Sequence, residues 1–99
     1  MANRLIYLPV ALKEFDESFE FYEERKEGLG INFRDEIMEK LDSISNHPER
    51  YRNKKSNFRE TIVDNFPFLI IYKYYKTKNI ILITSIFHTS RNPKYKYRK

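Results

Sequence analysis

Apolar residues recur at steps of three and four through the first half of the chain and gather into short runs in the second. Asn3 to Leu8 is short, apolar and aromatic, which predicts an opening strand. Pro9 follows where the first turn of a helix tolerates it. Leu8, Leu12, Phe15, Phe19 and Tyr22, with Ala11 beside them, then trace one helical stripe. Glu14, Asp16, Glu17, Glu20, Glu23, Glu24 and Glu27 fill the gaps, so the helix should carry an acidic outer face. Gly28 and Gly30 break the pattern. A second helix is predicted on Phe33, Ile37, Leu41 and Ile44, flanked by Met38, stopping at Asn46-His47-Pro48. So short a link between two helices predicts an antiparallel hairpin.

Glu49 to Asn57 has no apolar period and reads as a loop. Three strands follow in expectation: Phe58 to Val63, Phe68 to Tyr75, and Ile80 to Phe87. Asp64-Asn65, with Pro67 after it, turns the first into the second, and Lys76 to Asn79 turns the second into the third. A basic, aromatic tail closes the chain: Arg91, Lys94, Tyr95, Lys96, Tyr97, Arg98 and Lys99. The expected fold class is α+β with order β-α-α-β-β-β. A helical hairpin packs on one face of a small, mostly antiparallel sheet.

Length and composition narrow the function. A chain of 99 residues with eight Phe and eight Tyr suits one aromatic-rich domain over residues 1–99. The absence of cysteine excludes disulfides, thiolate metal sites and a cysteine nucleophile. The longest apolar run, Phe66 to Tyr72, is too short for a membrane span, and the N-terminus lacks a signal-peptide layout. A cytoplasmic protein is expected. Charge is unevenly placed: residues 1–49 hold six basic and twelve acidic residues, and residues 50–99 hold thirteen basic and two acidic. The halves carry −6 and +11, which suggests that the second half faces a polyanion or an acidic partner.

Candidate chemistry is sparse. There is no nucleotide-binding glycine loop and no metal-ligand spacing, and the helical carboxylates read as a solvated surface. No cofactor is implied. The remaining set is basic: Arg52, Lys54 and Lys55 from the loop, Arg59 from the strand after it, and His88, Arg91, Lys94 and Tyr95 from the chain's end. The start of one strand and the end of another can share a rim of the sheet. There Lys and Arg would neutralise phosphates, Tyr would stack on bases, and His88 would move protons near neutral pH. Each residue also has a bland reading: single cations solubilise, a lone His is more often structural, and His47 belongs to a helix stop.

Several stretches together resemble a known family. They are Ala11 to Glu23 (ALKEFDESFEFYE), Gly28 to Phe33 (GLGINF), Asn46 to Tyr51 (NHPERY), Phe58 to Val63 (FRETIV), Phe66 to Tyr72 (FPFLIIY) and Ile86 to Pro93 (IFHTSRNP). Their order and spacing over nearly the whole chain resemble the RelE/ParE superfamily of toxins from bacterial type II toxin–antitoxin systems, on its ParE-like, plasmid-stabilisation branch. The resemblance implies a growth-inhibiting toxin neutralised by a cognate antitoxin, with operator DNA bound only through the antitoxin complex. ParE-like members poison DNA gyrase and are not enzymes. RelE-like members cleave mRNA on the ribosome with basic residues and often a Tyr or His.

The sequence departs from the ribonuclease pattern. The position matching that pattern's strand arginine is Leu69, and a further basic position falls near Thr89. A proton-transfer mechanism needs positive charge at the scissile phosphate. The first expectation is therefore a toxin that binds a target such as DNA gyrase. The second is a ribosome-dependent endoribonuclease with Arg59, His88 and Arg91 as catalytic groups and Lys54 as a further phosphate clamp. The third is an inactive member. Arg52, Lys54, Lys55, Lys94 and Tyr95 would contact target or nucleic acid. An acidic antitoxin segment is expected on the basic rim, its apolar side chains anchored to the helical hairpin or a sheet edge. This whole scheme asks the fold to gather Arg59, His88 and Arg91 at one border.

Overall fold

The computed structural model describes residues 3–97; Arg98 and Lys99 of the basic tail lie outside the described residues. The order is β1 (Arg4–Tyr7), α1 (Pro9–Arg25), α2 (Leu29–Asn46), β2 (Phe58–Ile62), β3 (Phe68–Tyr75) and β4 (Ile80–His88). Single 3-10 turns span Lys76–Lys78 and Pro93–Tyr95. This is the α+β arrangement expected from the apolar periodicity. No helix among the described residues is long and apolar enough to cross a membrane.

Each boundary has a local cause. Pro9 occupies the first turn of α1, where its missing N–H costs nothing. Between the helices Gly28 adopts φ +87°, the left-handed region that favours glycine. Glu23, near the end of α1, accepts hydrogen bonds from the N–H groups of Gly28 and Gly30 at 2.9 Å each. It thereby satisfies donors that the first turn of α2 cannot satisfy itself. Gly30 lets the helices meet: a Cβ there would lie 2.8 Å from the Phe19 carbonyl oxygen. His47 caps α2 in non-helical geometry, with Pro48 after it.

The sheet order is β1-β4-β3-β2. β4 runs antiparallel to β3, as β3 does to β2, while β1 lies parallel to β4. A parallel pair needs a crossover, and the helical hairpin is part of it. The register slips between Ile71 and Tyr72: Ile71 faces Ser85 and Tyr72 faces Ile83, so Thr84 is the extra residue of a bulge. The Thr84 hydroxyl donates to the Ile71 carbonyl at 3.1 Å.

The main core lies between hairpin and sheet. Phe33, Ile37, Leu41 and Ile44 of α2 meet Phe68, Ile70 and Tyr72 of β3 and Ile81, Ile83 and Ile86 of β4. Phe33 stands at its centre, with ring centroids 4.9 Å from Phe68, 5.3 Å from Tyr22 and 5.4 Å from Phe66. A second cluster lies on the other side of the sheet, where Phe58, Ile71 and Phe87 pack with Leu69 and Tyr97. The helices bury a stripe slightly rotated from the expected one. Ala11 and Glu14 are buried, whereas Leu12 and Met38 are 50% and 57% exposed. Thus the outer face of α1 is not uniformly solvated: Glu14 is a core-facing carboxylate, and Glu23 caps its neighbour.

Candidate functional site

The most organised polar group lies where α1 passes the end of β4. β1 ends at Tyr7, opposite Ile83, so the outer edge of β4 loses its strand partner beyond that point. Glu14 takes the strand's place. Its Oε1 accepts the Ile86 N–H at 3.0 Å and the Ser85 hydroxyl at 2.8 Å. Its Oε2 accepts from the Arg91 guanidinium. That guanidinium also lies over the rings of Phe87 and Tyr95, 5.6 and 5.9 Å from their centroids. Arg91 is therefore a neutralised, packed cation that ties the end of β4 back to α1.

His88 stands beside it, edge-on to Phe68 at 4.9 Å. The Ser90 N–H donates to His88 Nδ1 at 3.0 Å, and the Ser90 hydroxyl lies 2.7 Å from the same atom. A backbone N–H only donates, so Nδ1 is the acceptor and the neutral ring carries its proton on Nε2. Two adjoining clefts of about 310 and 300 Å³ share Glu17, Ser18, Phe68 and His88. Lys13, Glu14 and Arg91 line the second.

Arg59 is elsewhere. Its guanidinium donates to the Tyr51 carbonyl at 2.8 Å. On the ladder it faces Tyr72, while His88 faces Phe68. Those partners stand four positions apart on β3, about 13 Å at ~3.3 Å per residue. The expected single border is thus two places. One joins Arg59 to the loop, where Asn53 bridges Arg59 and the exposed Arg52, Lys54 and Lys55 flank it. The other joins His88, Arg91, Lys94 and Tyr95, with the Lys94 ammonium 5.2 Å from the Tyr95 ring centroid. The division follows from the antiparallel register: β2 begins beside Lys73, toward the end of β3, whereas β4 ends beside its start.

Sequence reasoning missed Glu14, Ser85, Ser90 and Glu60. Glu60 is the acid of the sheet's second face, accepting from the Tyr97 hydroxyl at 2.7 Å and pairing with Lys96 at 3.3 Å. The signal for Glu14 was its place three residues after Ala11 on the apolar stripe. The signal for Glu60 was its alternation with Phe58 and Ile62. Burial, then the Glu60 hydrogen bond and charge, push the Tyr97 phenol up to about 12. Burial raises Tyr72 as well, partly offset by Arg59. At Tyr51 burial acts upward, but the Ser43 and Arg50 hydrogen bonds and the Lys40 and Arg50 charges outweigh it, so its phenol is lowered. Leu69, at the position of the ribonuclease pattern's strand arginine, packs in the second-face cluster. Among the described residues no three His, Asp or Glu side chains could hold a metal ion together.

A third cleft, about 150 Å³ and apolar, opens between the helices, lined by Leu12, Phe15, Ile37, Met38 and Leu41 above Tyr7. Its two exposed walls, Leu12 and Met38, face solvent without a polar role.

Residues 5–93 match the family model described as ParE toxin of type II toxin-antitoxin system, parDE. No curated protein matches the sequence. Among solved structures, the chromosomal ParDE toxin–antitoxin system of P. aeruginosa contains a chain of similar fold, with TM-score 0.72 and 15% identity. The similarity covers 88% of this chain and 96% of that one. The intact E. coli RelBE toxin–antitoxin complex gives TM-score 0.69 at 19% identity, over 91% of this chain and 100% of that one. The isolated E. coli RelE toxin gives 0.69 at 17% identity, over 96% and 93%.

Proposed function

Since this chain belongs to the ParE toxin family of type II toxin–antitoxin systems, we propose that it arrests growth by binding a protein target, DNA gyrase, and not by cutting RNA. A cognate antitoxin holds it inactive. The observation that supports binding over cleavage is the separation of Arg59 from His88 and Arg91. Arg91 is paired with Glu14, Arg59 is bonded to the Tyr51 carbonyl about four strand residues away, and Leu69 is apolar. A phosphoryl transition state needs preorganised positive charge converging on one phosphate. These groups are held apart by the register of the sheet and by their own partners.

The apolar cleft between α1 and α2 suits an antitoxin anchor. Leu12 and Met38 are large, exposed and adjacent to a slot with an apolar lining. Burying such side chains is worth about 1.5–3 kcal/mol each.

The reading is tested by inducing the chain alone and then together with the small protein encoded beside it, followed by primer extension on translated transcripts. Growth arrest relieved by the neighbour, with transcripts intact, is expected. New cleavage ends within codons would replace this reading with the ribosome-dependent nuclease. Unimpaired growth would point to an inactive member.

A further inference from the structure

Both faces of the sheet are apolar, although the helices cover only one. Along β1 and β4 the residues Leu5, Tyr7, Ile81 and Ile83 belong to the core beneath the helices. Their alternates, Ile6, Ile80 and Leu82, therefore stand on the opposite face. Ladder pairing continues that face onto β3: Leu82 lies opposite Lys73, and Ile80 opposite Tyr75, which is 40% exposed. Arg4 pairs with Ile80 and is exposed on the same side. The tail covers a different corner, because Tyr97 lies 5.3 Å from Phe58, and Lys96 and Tyr97 bind Glu60. What remains is a half-buried aliphatic patch edged by the exposed Arg4 and by Lys73, whose ammonium lies 4.5 Å from the Phe58 ring centroid, with Lys78 in the adjoining turn. Glu60, the acid on this face, is already bound by the tail.

We propose that the uncovered half of this sheet face, Ile6, Ile80, Leu82 and Tyr75 between Arg4 and Lys73, docks an acidic, apolar-bearing polypeptide segment of the poisoned target. This rests on the toxin reading above and assigns a surface to it. Three features select the occupant. The centre is aliphatic, which suits polypeptide side chains, whereas single-stranded nucleic acid needs aromatic platforms for its bases. The border is cationic, so an acidic segment is the electrostatic complement. A second copy of this chain is disfavoured, because a two-fold contact through this patch would set Arg4 and Lys73 against like charges. The antitoxin cleft lies on the opposite side of the sheet, between helices whose outer faces bear Asp16, Glu17, Glu20 and Glu39.

The test compares wild type with the double variant Arg4→Glu/Lys73→Glu and with Leu82→Ser, each shown to be folded by circular dichroism and urea unfolding. Met38→Ser serves as the control in the helical cleft. Growth arrest on induction and affinity for the co-encoded antitoxin are measured. The expected result is at least a hundredfold recovery of colonies for the sheet-face variants, with antitoxin affinity within twofold of wild type. Met38→Ser should show the reverse pattern. Full growth arrest by the folded double variant overturns the proposal. So does a tenfold loss of antitoxin affinity, which would give the face to the antitoxin, and so does loss of binding to a labelled 20-nucleotide RNA that wild type binds. A wild-type chain that arrests growth without inhibiting gyrase removes gyrase as the target but leaves this test standing. One that arrests nothing overturns both readings.

Discussion

Replacing Glu14 by alanine probes the joint between α1 and β4. The carboxylate accepts hydrogen bonds from the Ile86 N–H, the Ser85 hydroxyl and Arg91. These losses are unequal. The Ile86 N–H lies on a strand edge that β1 has already left, in a residue only 3% exposed, so no neighbouring strand replaces the acceptor. Leaving such a donor unmet costs about 1–3 kcal/mol. The Ser85 hydroxyl, 1% exposed, loses its acceptor as well, at about 1 kcal/mol. The Arg91 side chain is 36% exposed and can be solvated, so its share is held to about 0–1 kcal/mol by solvent screening. The expected loss is about 2–5 kcal/mol. Glu14→Gln keeps a carbonyl acceptor and should lose roughly half as much. Urea unfolding of the purified chain reads both values, provided the slope is unchanged. Glu14→Ala with stability within about 0.5 kcal/mol of wild type would refute the reasoning, because it would show that the carboxylate does not stand in for the missing strand.

Three other perturbations have expected outcomes. Tyr72→Phe removes the hydroxyl that donates to the Pro48 carbonyl at 2.7 Å and leaves a buried acceptor, so urea unfolding should show a loss of about 1–2 kcal/mol. Gly30→Ala gains about 1 kcal/mol of helix propensity. It also places a methyl group 2.8 Å from a backbone oxygen, so a net loss of about 1–2 kcal/mol in the same assay is expected. The Tyr97 phenol is raised to about 12, so the folded chain keeps a proton that the unfolded chain releases near its ordinary value of 10. The stability linked to that proton is complete below pH ~10 and falls as pH rises toward about 12. Tyr97→Phe should flatten the decline of urea midpoints across that window without abolishing it, since Tyr72 and Tyr7 are raised too.

The order of elements was legible because its signals are local. A three-and-four apolar period, a Gly28 break and a Pro48 stop need no knowledge of the rest of the molecule. The parallel pairing of β1 with β4 was not written in either strand; it arises when the helical hairpin carries the chain across the sheet. The site was less legible for the same reason. Arg59 and His88 are each correctly placed on strands, yet whether they meet depends on register, and register is settled by which residues face each other across β3. Glu14 resembled its acidic neighbours because solvated and pinned carboxylates look alike in a sequence. Only the early end of β1 creates the unmet Ile86 N–H that draws it inward. The second apolar sheet face was visible as continuous apolar runs in β3 and β4, but such runs do not say which side a helix will cover.

The most direct measurement of the central claim is supercoiling of relaxed plasmid by purified gyrase as the purified toxin is titrated in. Supercoiling should fall with toxin concentration and recover when the antitoxin is added. Full supercoiling at saturating, folded, growth-arresting toxin would contradict that claim.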